Sequence, residues 1–151
     1  MSLELELDGA GALDQEGVRR IVAAVVDALG VGGEDVAVGV SFVEEERIRE
    51  LNREHRGKDS VTDVLSFPID PLDEPVPEGV QRQLGDVVVS LDQVARQAAE
   101  ADVAPGVELT SMLIHGVLHL AGYDHETDEG AMLALQDQLV AGIPPLAWEP
   151  A

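Results

Sequence analysis

Ile114-His115-Gly116-Val117-Leu118-His119-Leu120-Ala121-Gly122-Tyr123-Asp124-His125 holds three of the chain's four histidines. His115 and His119 are four residues apart, a spacing that puts both imidazoles on one face of a helix, one turn apart. Gly122 tolerates left-handed backbone angles, so it can end that helix and turn the chain back. The turn can return His125 towards the first two rings. Three neutral nitrogens would then converge on one point, a donor set suited to Zn²⁺, and also to Ni²⁺ or another transition ion. Burying three imidazoles separately would instead need three sets of hydrogen-bonding partners. The chain has no Cys, and structural zinc sites are usually closed by four protein ligands, often Cys. Three histidines leave a coordination position for water or substrate, and such an ion lowers the pKa of bound water to about 7. Asp124, Glu126 and Asp128 lie close enough in sequence to be further ligands or outer partners, although acids after a helix are ordinarily just solvated.

The H-x-x-x-H-x-x-G-x-x-H register is similar to the zinc motif of metzincin proteases, H-E-x-x-H-x-x-G-x-x-H. Those enzymes use the Glu after the first His as general base. Here Gly116 takes that position and cannot move a proton, so the ligand geometry is transferable and the peptidase chemistry is not.

A chain of 151 residues predicts one domain, spanning 1–151, with a real core. No apolar run is long enough to cross a bilayer. Met1 to Leu7 lacks the basic and apolar parts of a signal peptide. The absence of Cys fits a cytoplasmic protein. The formal net charge is −21, which taken alone argues against binding polyphosphate. Yet five of the nine basic residues fall between Arg47 and Lys58: Arg47, Arg49, Arg53, Arg56 and Lys58. A bound divalent ion would add local positive charge.

Leu3 to Leu7 alternates apolar and acidic residues, the period of a half-buried strand. Asp14 caps a predicted helix running to about Leu29, with Val18, Ile21, Val22, Val25 and Val26 as its apolar stripe. Val36 to Val43 predicts a second strand. Glu44 to about Arg53 predicts a short helix, acids first and arginines last, as the helix dipole prefers. A polar loop follows, then a short strand from Val64 to Phe67 ended by Pro68. Asp70 to Gly79, with three prolines among acids, reads as a surface loop. Leu84 to Ser90 is a strand whose valines predict burial on both faces. Ser90 or Asp92 starts a helix ending near Asp102. Pro105 and Gly106 break the chain before the histidine helix, Val107 to Leu120, which is apolar enough to be the buried central one. Thr127 or Asp128 caps a last helix through about Val140, and Ile143 to Ala151 is a Pro-rich tail. The connections are too short for every strand pair to be parallel, so the sheet is expected to be mixed.

At this point the chain resembles the YbeY family of metal-dependent endoribonucleases. The match is carried by Asn52 to Pro68, with Arg56-Gly57-Lys58 and Thr62-Asp63-Val64-Leu65-Ser66-Phe67-Pro68, by Leu84-Gly85-Asp86, and by His115 to His125 with Gly116 in place of Glu. The resemblance implies a small α+β, zincin-like domain, with a four-stranded mixed sheet and a buried metal-binding helix packed on it. It implies cleavage of single-stranded RNA, in ribosomal RNA processing that includes the 3′ end of the small-subunit (16S) RNA, and in ribosome quality control. His115, His119 and His125 match the family's metal ligands, and Arg56 its functionally important arginine. The implied partners are ribosomal RNA with the small ribosomal subunit or an assembly GTPase, and neither DNA nor membrane. Delivery by such a partner would offset the acidic composition.

Phosphodiester cleavage builds negative charge on a five-coordinate phosphorus, which a metal ion and an arginine suit. On residues alone, Arg56 is ordinarily a surface arginine bridging to Glu54 or Asp63; the resemblance moves it to the active site. His55 beside it is by default an exposed loop histidine. Asp63 and Asp86 could orient an imidazole or Arg56, with turn and capping roles at least as natural. Ser66 and Ser90 have no histidine at catalytic spacing. Gly85 reads as a bulge or close backbone contact. Tyr123 and Trp148 look too isolated to form a base-stacking platform. Two other readings stay open: a zinc-dependent peptide or amide hydrolase, which needs another carboxylate near the metal, and a non-catalytic ribosome-assembly factor whose metal only holds the fold.

Overall fold

The computed structural model describes residues 2–31, 34–123 and 130–150. Strand β1 (Leu3–Asp8) leads into helix α1 (Gln15–Ala28), then β2 (Val36–Phe42), α2 (Glu45–Arg56), β3 (Val64–Pro68), β4 (Arg82–Val89), α3 (Leu91–Ala101), α4 (Pro105–Leu120) and α5 (Ala131–Gly142). The four strands form one sheet in the order β1-β2-β4-β3. β1, β2 and β4 are parallel, and β3 runs antiparallel to β4 at one edge. The mixed α+β architecture is thus as expected, with four strands and, among the described residues, five helices.

Local chemistry explains most of the boundaries. The Asp14 carboxylate accepts from Gly17 N–H at 3.0 Å and caps α1, and Ser90 caps α3 through Gln93 N–H at 3.3 Å. Two boundaries differ from expectation. α2 continues to Arg56, because Glu54, His55 and Arg56 are tolerated on an exposed helix face. Gly57, at φ 70°, then closes it in the left-handed region. α4 begins at Pro105 rather than Val107: proline at the first helical position lacks an N–H that has no intrahelical acceptor anyway. α5 starts at Ala131 after Gly130; the proposed caps Thr127 and Asp128 lie outside the described residues.

The core sits between the sheet and α4. Leu109, Leu113, Ile114, Val117, Leu118 and Leu120 are fully buried, each contributing about 1.5–3 kcal/mol of transfer free energy. α4 touches α1, α3, α5, β3 and β4, so it is the central helix its composition predicts. A smaller apolar cluster, Ile48, Leu65 and Val88, joins α2 to β3 and β4. Val87 and Val89 belong to the main core and Val88 to this second cluster, so β4 is buried on both faces from Val87 to Val89, whereas Gln83 and Asp86 earlier in the strand are exposed. Gly85 supplies the expected bulge: Ala37 pairs with Gln83 and Val38 with Gly85, skipping Leu84. Its φ of 141° and its closeness to the Phe67 carbonyl (2.3 Å from an added Cβ) leave no room for a side chain.

The tail is docked. Leu146 is buried and donates its N–H to Thr110 Oγ1 at 2.9 Å, and Thr110 Oγ1 in turn donates to the Gly106 carbonyl at 2.7 Å. The 70–79 loop is held from beneath by buried Arg82. Its guanidinium donates to the carbonyls of Asp70, Pro71 and Glu74 at 3.0, 2.7 and 3.0 Å, and to Glu34 at 2.6 Å. Among the described residues, no single helix is long and apolar enough to cross a membrane.

Candidate active site

His115 and His119 occupy consecutive turns of α4, and their ring centroids are 4.6 Å apart at an interplanar angle of 75°. The helix ends immediately after them. Gly122 N–H bonds the His119 carbonyl at 3.1 Å and Tyr123 N–H bonds the Leu118 carbonyl at 3.2 Å. Those two bonds, with Gly122 at φ 109°, make a Schellman closure. Gly122 therefore ends the helix as its sequence position indicates. His125, the third candidate ligand, lies outside the described residues, as do Asp124, Glu126 and Asp128. Among the described residues no group of three His, Cys, Asp or Glu side chains is gathered to hold a metal. The two adjacent imidazoles fit a borderline divalent transition ion such as Zn²⁺ or Ni²⁺ by chemistry, since imidazole nitrogen suits such ions.

A cleft of about 730 Å³ runs along edge strand β3 between α2 and α4. His115, His119 and Tyr123 line it from the α4 side, and His55 and Arg56 from the last turn of α2. Loop 57–62 is pinned behind Arg56: buried Asn52 donates to the Ser60 carbonyl at 2.9 Å. Ser66 of β3 donates to the Gly116 carbonyl at 2.9 Å and fastens the strand to the histidine helix.

The basic residues of α2 are divided by their partners. Arg47 pairs with Glu50 at 3.1 Å, Arg49 with Asp59 at 2.8 Å, and Arg53 reaches Asp59 at 4.0 Å. Among the described residues Arg56 forms no ion pair with Glu54 or Asp63. The Arg49 guanidinium holds the Asp59 carboxyl below its ordinary value. Two turns before His115, Glu108 on α4 has its carboxyl pushed up, first by burial and then by the charge of Asp63.

Several sequence expectations resolve here. Asp63 lines the cleft but spends one oxygen locally, accepting from Val64 N–H at 2.9 Å and Thr62 Oγ1 at 3.2 Å, which is a turn role. Asp86 lines a separate hollow with Glu4 and Glu6, so it is not brought to the imidazoles. His55 packs edge-on against Phe67, with centroids 4.8 Å apart. Tyr123 lines the same cleft and is less isolated than its sequence position suggests. Gln136 of α5 escaped the sequence reading altogether. Its Oε1 lies 2.8 Å from His115 Nδ1, and its Nε2 donates to Ser111 Oγ at 3.2 Å. The available signal was a carboxamide on the inward stripe Met132, Leu135, Gln136, Leu139 of an otherwise apolar helix face.

Comparison with known proteins gives a consistent result. The family model described as Endoribonuclease YbeY matches residues 10–143. A protein named Endoribonuclease YbeY from Persephonella marina is 39% identical over 138 residues, covering 89% of this chain and 87% of its own. One of the same name from Symbiobacterium thermophilum is 42% identical over 134 residues, covering 85% and 86%. A solution structure from Thermotoga maritima is similar with a TM-score of 0.63 at 32% identity, covering 92% of this chain and 88% of that one.

Proposed function

The chain belongs to the YbeY family of endoribonucleases, and from that premise we propose that it cleaves single-stranded RNA in the cleft between α2 and α4. The observation that carries this reading is the shared cavity: Arg56 at the end of α2 and His115 and His119 on α4 all line it. The proposed ligands of a single Zn²⁺, or Ni²⁺ in its stead, are His115, His119 and His125, within one zincin-like metallohydrolase domain spanning 1–151. Bound there, the ion would supply charge neutralisation at a phosphoryl oxygen and an acidified water. Arg56 is exposed and, among the described residues, in no ion pair, so its planar guanidinium can pair with the scissile phosphate through two parallel hydrogen bonds. The charge that grows on the phosphate as phosphorus becomes five-coordinate strengthens those bonds, which is the condition for catalysis rather than mere binding. The cleft lies over a strand edge and is open, as an unpaired strand requires.

The proposed setting is the cytoplasm, in ribosomal RNA processing at the 3′ end of the small-subunit RNA and in ribosome quality control. With a net charge of −21, affinity for free RNA is expected to be low and salt-sensitive. A ribosomal small-subunit component or an assembly GTPase is the proposed partner that delivers the substrate. Peptide hydrolysis is disfavoured, because Gly116 replaces the general base and its site against β4 has no space for one.

The test is cleavage of a single-stranded RNA by the full chain with metal, after chelation, and after metal is restored, alongside His119→Ala. Loss of cleavage on chelation, recovery on restoration, and loss of both bound metal and cleavage in His119→Ala are expected. Undiminished cleavage by metal-free protein would remove the metal from the reading and leave the nuclease assignment standing.

A further inference from the structure

Building on the metal reading just given, we propose that Gln136 of α5 is the positioning residue for His115, its side-chain carbonyl holding the ring in the tautomer and orientation that aim Nε2 at the ion. His115 Nδ1 lies 2.8 Å from Gln136 Oε1; a carbonyl oxygen only accepts, so this contact selects the tautomer with its proton on Nδ1 and its lone pair on Nε2. Gln136 is itself directed: its Nε2 donates to Ser111 Oγ at 3.2 Å, and Ser111 stands one turn before His115 on the same helix. The carboxamide is 9% exposed on a face whose other inward members, Met132, Leu135 and Leu139, pack into the core. Burying an amide there costs free energy unless its hydrogen bonds are made, and a leucine would fill the same stripe without that cost. The amide makes two hydrogen bonds, one to Ser111 and one to His115, and the second has the form of the outer bond that metal-bound imidazoles ordinarily make. A flipped amide would donate to Nδ1 and put the ring proton on Nε2, where it blocks coordination. A carboxylate at 136 has no such second state.

The experiment compares the full-length wild type with Gln136→Met and Gln136→Glu. Zn²⁺ affinity is read by competition with a chromophoric chelator, the Co²⁺ complex by its absorption bands, and the metal-free fold by thermal melting. Gln136→Met is expected to weaken Zn²⁺ binding about 10–100-fold and to alter the Co²⁺ bands, with the metal-free melt close to wild type. Gln136→Glu keeps the acceptor and is expected to restore wild-type affinity or exceed it. Unchanged affinity and spectrum in Gln136→Met would overturn the assignment. If that variant melts too low to assay, Gln136→Glu decides: affinity at or above wild type supports the role, and a tenfold loss overturns it. A wild-type chain that binds neither ion would overturn the metal reading itself, and this assignment with it.

Discussion

Gly116 of α4 lies directly against Val87 of β4: a Cβ built on the glycine would stand 2.6 Å from one Val87 methyl, 3.2 Å from the other and 3.3 Å from Val64. The histidine helix therefore approaches the sheet as closely as a side-chain-free surface permits. Ser66 reinforces the approach through its hydrogen bond to the Gly116 carbonyl.

Gly116→Ala is consequently expected to destabilise the protein. Alanine gains about 1 kcal/mol of helix propensity, but overpacking a filled core costs about 1–3 kcal/mol, and short Val87 has little freedom to give way. A net loss of about 1 kcal/mol, read as a lower denaturation midpoint, is the expected result. Gly116→Glu, which would recreate the protease-like motif, is expected to fail to fold rather than to acquire peptidase activity. A well-folded Gly116→Glu protein would show that α4 can retreat from the sheet.

Arg56→Ala is expected to reduce RNA cleavage about 10²–10³-fold, the usual cost of one donor to a developing oxyanion. Its melting temperature should stay near wild type, since Arg56 is exposed and its helix is closed by Gly57. Arg56→Lys should recover only part of the activity, because an ammonium cannot pair with phosphate through two parallel bonds. Full activity in Arg56→Ala would remove the residue from the reaction.

Glu108 gives stability a pH dependence of defined sign. Burial first, and the charge of Asp63 second, raise its folded pKa above the ordinary 4.5. The folded state then holds this proton more tightly than the unfolded chain, so the contribution is fully present below 4.5 and is lost as pH rises through the raised value. Glu108→Gln should flatten this part of the profile. The check is denaturation midpoints for both proteins across mildly acidic pH; parallel profiles would contradict the assignment.

Arg82→Leu should destabilise more than any surface substitution. It strips the donor from three loop carbonyls and leaves Glu34 without its partner. The cost is about 1–3 kcal/mol, from loop carbonyls left without their donor; Glu34, 36% exposed, adds little. Because Leu72 N–H of the same loop bonds the Ala121 carbonyl at 3.1 Å, the turn after α4 should also exchange its amide hydrogens faster. In the wild type, Arg82 holds the Glu34 carboxyl below its ordinary value. That part of the stability is present above the ordinary value and lost as pH falls through the lowered one. Equal midpoints for wild type and Arg82→Leu would show that the loop is held by other contacts.

The sequence by itself determined the elements and their chemistry. Alternation in Leu3 to Leu7, the Asp14 and Ser90 caps, the apolar length of α4 and the Gly122 stop are all local, because hydrogen-bonding and burial periods are written within a few residues. It also determined the pairing of His115 with His119, since four residues on a helix fix their separation. Two local readings fell short. α2 reaches Arg56 and α4 begins at Pro105, because exposed polar residues and a first-turn proline are compatible with a helix without demanding one. Only the tertiary structure decided what faces what across the chain. It set Arg56 and Tyr123 in the same cleft as the imidazoles, sent Asp86 to a different hollow, and delivered Gln136 from another helix to His115. Those relationships depend on strand order and on how closely α4 approaches the sheet, which are set by packing between residues tens of positions apart and leave no period in the sequence to read.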